Sequence, residues 1–113
     1  MNTITYYKQS GEIDHETLLN KSTIKDFHGM KVRCSLYDGS EHIGFANTRS
    51  NWPHITLETF VNLDEDTHTF IGEGRNKYDI KKELLSILVV RHIDAILYSG
   101  LRWGGVPTNK FNL

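Results

Sequence analysis

The sequence predicts a mainly β domain, a small open barrel of about five strands with a short N-terminal helix, and three observations carry that expectation. Met30, Val32, Cys34 and Leu36 alternate with Lys31, Arg33, Ser35 and Tyr37, the period of two that a half-buried strand requires. Asp38-Gly39 follows at once, a pair that supplies the positive φ angles of a tight hairpin, and Glu41 to Asn47 reads as the returning strand. Ile87-Leu88-Val89-Val90 and Ala95-Ile96-Leu97-Tyr98 are short apolar runs on either side of the polar Arg91-His92-Ile93-Asp94. Two buried strands around one tight helical turn fit a small barrel better than a single long helix.

Composition bounds the rest. A chain of 113 residues holds one modest core. With 38% hydrophobic and 24% charged residues of mixed sign, it has the makeup of a folded protein. A net charge of -1 gives no global attraction to nucleic acid or to an anionic membrane surface, so such binding needs a local patch. Cys34 is the one cysteine, which excludes an internal disulfide, and strand parity places it on the apolar face as an inert thiol. No apolar run approaches a bilayer span and the first residues carry no basic-then-apolar signal, so the expected location is cytoplasmic, with no membrane partner.

In chain order, Ile4-Thr5-Tyr6-Tyr7 is a short β-prone run within residues 1–13, which read as an N-terminal arm. Asp14 suits a helix N-cap, with Glu16 in the first turn and Leu18, Leu19, Ile24 and Phe27 as an imperfect apolar stripe. Gly29 is a suitable left-handed stop before the first barrel strand. Trp52-Pro53 interrupts the second strand, because proline lacks the amide proton of a ladder. Alternation resumes from His54 to about Leu63, then Asp64-Glu65-Asp66 turns the chain into a return strand, Thr67 to Ile71. Asp79 to Leu88 also fits an amphipathic helix through Ile80, Leu84, Ile87 and Leu88, and the β-branched residues favour strand. The barrel domain is therefore drawn over 14–100 and a polar C-terminal tail over 101–113. Its expected core is Val32, Cys34, Leu36, Ile55, Leu57, Ile87, Val89, Ile93 and Ile96.

Phe27 through Gly44, with its glycine after a helical segment, alternating strand, Asp-Gly turn and glycine in the second strand, resembles the first motif of the Sm-like small β-barrel family. Val89 through Ile96 resembles the second motif, and other SH3-like barrels share the alternation. The resemblance implies an open barrel whose strand edges join subunits into homo-oligomers, and a nucleotide-contacting loop at 50–54. Ser50 and His54 stand there in place of an acidic residue and an asparagine, and His92 replaces the glycine after Arg91.

No residue set assembles a nucleophile, a base and an orienting partner along the chain, so an enzyme is not expected. His15, His28, His42, His54, His68 and His92 are scattered without one-turn spacing, and no metal or other cofactor is expected. Asp64, Glu65, Asp66 and His68 could offer ligands to a cation, but a solvated turn explains the same residues and is the favoured reading. The remaining candidates are contact residues, Arg49, Trp52, His54, Arg91 and Trp103, which supply guanidinium and aromatic planes for a protein partner or for single-stranded RNA. Acidic residues and near-zero net charge favour the protein partner, and a non-catalytic interaction or assembly module is the expected function, with RNA binding as the alternative.

Overall fold

In a computed structural model, which describes residues 2–49, 52–60, 63–64, 69–70 and 80–97, the alternating stretch after Gly29 forms the expected hairpin. Strands β3 (Lys31–Leu36) and β4 (Glu41–Asn47) pair antiparallel with Val32 opposite Gly44. Their turn closes on Gly39 at φ 88°, and the Asp38 carboxylate accepts from the Ser40 N–H (2.8 Å) and Oγ (2.6 Å). Gly29 has φ 80°, a left-handed position before β3 that any side chain would strain.

The remaining strands are β1 (Thr3–Tyr7), β2 (Ile13–Leu18), β5 (His54–Phe60), β6 (Leu63–Asp64), β7 (Thr69–Phe70), β8 (Ile80–Ser86) and β9 (Val90–Ile96). Seven of them make one mixed sheet in the order β2-β1-β9-β3-β4-β5-β8, where only β1 and β9 are parallel; β6 and β7 form a separate small hairpin. The sheet must curl. β8 and β9 are four strand spacings apart in that order, roughly 19 Å across a flat sheet. The 3-10 turn Ile87–Val89 that joins them reaches less than about 14 Å even if pulled straight. Gly44 allows the bend: a Cβ there would lie 3.1 Å from the Glu58 carbonyl and 3.2 Å from Leu57 Cβ.

The core sits on the inner face of this curl, where Ile4, Phe27, Val32, Cys34, Ile55, Val90, Ile93 and Ala95 are fully buried. Burial on the opposite face extends to Lys31, Phe45, Glu58 and Ile96, so β3 is covered on both sides. Eight of the nine expected core residues are buried and Val89 is not.

Four expectations are corrected. Among the described residues the sheet has seven strands, not about five. The N-terminal helix is absent: β2 occupies its first half, and only the 3-10 turn Ile24–Phe27 remains of the second. Asn20 stops the helix by accepting the N–H groups of Ser22 (2.8 Å) and Thr23 (3.0 Å), a local turn that competes with helical bonds. Residues 3–7 are not an arm but an inner strand, β1, held between β2 and β9 with Ile4 and Tyr6 buried. The strand, helical turn, strand order near the end holds, but the turn is Ile87–Val89 and Arg91 to Asp94 lie within β9. Ser86 sets that position, since its Oγ accepts from the Leu88 N–H (3.3 Å) as a cap, and Val90 replaces Val89 inside. The third strand spans His54–Phe60, Leu63 belongs instead to β6, and β7 covers part of the predicted return. Residues 65–68 and the tail at 101–113 lie outside the described residues.

Candidate interaction surface

The 3-10 turn Ile87–Val89 is apolar throughout, and three residues cannot bury all of their side chains when one backbone face must meet the sheet. Ile87 points into the core, and its N–H donates to the Pro53 carbonyl (2.7 Å). At the other end the Tyr37 N–H donates to the Val89 carbonyl (3.1 Å). The turn thus lies between the β4–β5 loop and the β3–β4 turn, with Leu88 76% exposed, Tyr37 59% and Val89 45%. Leu36, Tyr37, Asp38, Leu88 and Val89 line a cavity of about 440 Å³. Asp38 gives it an anionic rim, because the bonds from Ser40 hold its carboxyl below the usual carboxylate range. Tyr37 Oη donates to Asn2 Oδ1 (2.7 Å), and Asn2 Nδ2 donates to the Val90 carbonyl (2.7 Å), which fixes the tyrosine beside the cavity.

Four of the five expected contact residues lie on the two segments adjoining the Ile87–Val89 turn. Arg49 is exposed just after β4, with its N–H on Asn47 Oδ1 (3.1 Å). Trp52 is 39% exposed and joined to Pro53 by a cis peptide bond. His54 is half-buried at the start of β5, opposite Ser86 of β8. Arg91 is exposed at a bulge, where Val90 pairs with Leu36 and His92 with Ser35, and a bulge re-aims the extra side chain. The Pro53–Ile87 bond brings the loop of Arg49, Trp52 and His54 to the turn that precedes Arg91. Trp103 and Ser50 lie outside the described residues.

Two side-chain clusters escaped sequence reasoning. On the outer face, Asp94 accepts from Arg33 Nη2 (2.6 Å) and Nε (3.1 Å), and from Tyr7 Oη (3.1 Å). His92 Nε2 lies 2.9 Å from the same carboxylate and 3.2 Å from Thr5 Oγ1, with its Nδ1 2.7 Å from Thr3 Oγ1. Every oxygen of Asp94 is engaged, the condition for tolerating a buried ion pair. Burial and then Asp94 push the Tyr7 hydroxyl above its ordinary value. The only sequence signal was parity, Thr3-Thr5-Tyr7 against His92-Asp94.

The second cluster aligns Ser40 Oγ with His42 Nε2 (3.1 Å) and His42 Nδ1 with Glu83 Oε1 (2.8 Å), the spacing of a hydroxyl, a base and an orienting carboxylate. The hydroxyl proton goes elsewhere, since Ser40 Oγ donates to Asp38 at 2.6 Å. The N–H of Ser40 is spent on Asp38 and that of Gly39 on Leu36, so this turn aims no donor at a developing oxyanion. Cys34 is no better placed: burial, then Glu83 and Asp94, push its thiol up to about 12. Among the described residues no three His, Cys, Asp or Glu side chains gather as metal ligands, and no helix is long and apolar enough to cross a membrane.

No family model matches the chain, and neither the curated proteins nor the solved structures contain a match to it.

Proposed function

We propose that the protein is a non-catalytic interaction or assembly module, an Sm-like or SH3-like barrel elaborated by an N-terminal hairpin, working in the cytoplasm. The barrel reading is supported by β3, β4, β5, β8 and β9, five strands in a curled sheet with a 3-10 turn before the last. The observation that carries the function is the exposed apolar group Tyr37, Leu88 and Val89 around one cavity, since large side chains clustered at a surface mark a contact site. Its partner is a protein that buries an apolar side chain against Leu36 and Leu88.

Leu88→Asp tests this reading because the side chain is already in water and the fold should survive. A partner captured by the wild type, purified, and titrated against both proteins should lose at least about tenfold in affinity for the variant. Equal affinity for both would refute the assignment of the surface.

The alternative is a single-stranded RNA binder using Arg49, Trp52, His54 and Arg91. The Pro53–Ile87 hydrogen bond favours it, because it joins the two segments that bear those residues. Binding to a short single strand that is tighter than micromolar at about 150 mM salt would establish it, provided Arg49→Ala with Arg91→Ala abolishes the binding and its salt dependence.

A further inference from the structure

The curled sheet ends in two strands that each have one strand neighbour among the described residues: β2 beside β1, and β8 beside β5. The edge of β9, which would otherwise be open, is taken within the chain by β1. An unpaired edge presents backbone donors and acceptors to any other strand, and proteins usually blunt it with charge or bulges. Here the two edges carry opposite charge. Asp14 and Glu16 lie in β2 just after Glu12, whereas β8 carries Lys81 and Lys82 after Ile80 with one acid, Glu83, beside them, and all six charged side chains are exposed.

We infer that β8 of one molecule pairs antiparallel with β2 of a second copy, with Lys82 opposite Glu16. This rests on the assembly half of the reading above and uses a surface separate from the Leu88 cavity.

Direction comes first. β1 is parallel to β9, and every other neighbouring pair is antiparallel, so β2 and β8 run in opposite senses. A second molecule added head to tail, without inversion, therefore meets β8 with an antiparallel β2. Faces come next. Glu16 lies opposite Thr5 and Lys82 opposite Glu58, both on the outer face, while His15 stacks on Tyr6 (ring centroids 4.5 Å) and Glu83 lies opposite Leu57 on the inner face. A register that matches outer with outer, and sets Lys82 on Glu16, also sets His15 on Glu83, Thr17 on Lys81 and Leu18 on Ile80. The bulge at Asp14 between Tyr6 and Tyr7 then brings exposed Ile13 beside exposed Leu84. Acid meets base at Glu16–Lys82 and Glu83–His15, apolar meets apolar at Leu18–Ile80 and Ile13–Leu84, and a slip of one residue would put every side chain on the wrong face.

The same charges oppose the competing pairings. β2 against β2 would gather the acids, and β8 against β8 would set Lys82 on Lys82 with only Lys81 on Glu83 to offset it, so the heterologous contact is the better matched in charge. Such a contact repeats from copy to copy and closes as a ring or grows as a filament.

Sedimentation equilibrium of the full chain tests the pairing. The wild type should associate with rising concentration, and Glu16→Lys or Lys82→Glu alone should weaken association about tenfold or more by opposing like charges. The double variant should recover most of it. Exposed positions should leave the melting temperature of each variant unchanged, which separates lost contact from lost fold. Mixing Thr17→Cys with Lys81→Cys under oxidising conditions should give a covalent dimer, since directly opposed strand residues meet disulfide geometry. Association that ignores both single reversals, or is not restored by the double, would overturn the pairing and leave assembly through another surface. A wild type that stays monomeric to millimolar concentration would overturn both, with the Leu88 surface still to be judged by its own titration.

Discussion

Asp94→Ala removes the acceptor at the centre of the outer-face network. The substitution deletes two bonds from Arg33 and one from Tyr7, and takes away the anion next to His92. The Arg33 side chain is only 7% exposed, so its guanidinium cannot turn to bulk water, and its other carboxylate neighbour, Glu41, is 3.7 Å from Nε and half in solvent. Breaking one side of a buried pair costs about 3–5 kcal/mol, chiefly because the surviving charge is left uncompensated. Partial rescue by Glu41 puts the expectation at the lower end, about 3 kcal/mol. For a domain of this size that lowers the melting temperature by roughly 12–24 °C. Urea unfolding followed by circular dichroism would measure it, with Arg33→Met and the double variant completing a cycle. The double should be more stable than Asp94→Ala alone, because the stranded charge is gone. A loss under about 1 kcal/mol for Asp94→Ala would show that the network carries no more than a surface ion pair and would refute this reasoning.

Gly44→Val should cost about 2 kcal/mol or more in the same assay, as the β5 backbone 3.1 Å from its Cβ leaves no room; a midpoint equal to the wild type would mean that β4 and β5 do not cross so closely. Gly39→Val should cost about 1 kcal/mol or more through strain at φ 88° alone, with open space around it. The Asp38 carboxyl is held below its ordinary value, so its support of the turn is complete above the unfolded value of about 3.9 and is lost as pH falls through the lower folded one. Hydrogen exchange at the Ser40 amide should accelerate over that acid range, and Asp38→Asn should remove the pH dependence. Cys34, with its thiol raised to about 12, should react with a disulfide reagent at pH 8 only as fast as the protein opens. Rapid labelling of the native state would place the thiol at the surface.

What could be read in advance depended on how far apart the partners were. The Asp38-Gly39 turn and the position of Gly29 were legible because each is dictated by a few adjacent residues and by glycine's tolerance of positive φ. Strand β3 and most of the core followed from alternation. The first two strands did not, because Ile4 to Tyr7 is too short to declare itself and its partner His92 is 89 residues from Thr3. Without that partner, Asp14 to Phe27 offers helix signals that the tertiary ladder overrides. The chain near Ile87 misled by one residue in burial for a similar reason: β-branched residues suggest strand, and only the Ser86 hydroxyl on the Leu88 amide marks a 3-10 turn. Of the contact residues, the Trp52 loop and Arg91 were found by residue type, whereas Tyr37, Leu88 and Val89 look like ordinary strand residues until the turn exposes them.

The parallel pairing of β1 with β9 bears on how the protein is made. β1 is synthesised before its partner, since the strand that receives it ends at Ile96, and β9 also supplies the second neighbour of β3. At synthesis rates of roughly 5–20 residues per second, the β1–β2 hairpin and the unpaired edge of β3 wait together for about 3–12 s. Ile4, Tyr6 and Val32, all destined for the core, are uncovered during that interval, and the final step joins the most distant parts of the sheet, which slows folding further. Synthesis is the period of greatest aggregation hazard for this chain, and a circular permutant that makes β9 before β1 would shorten it.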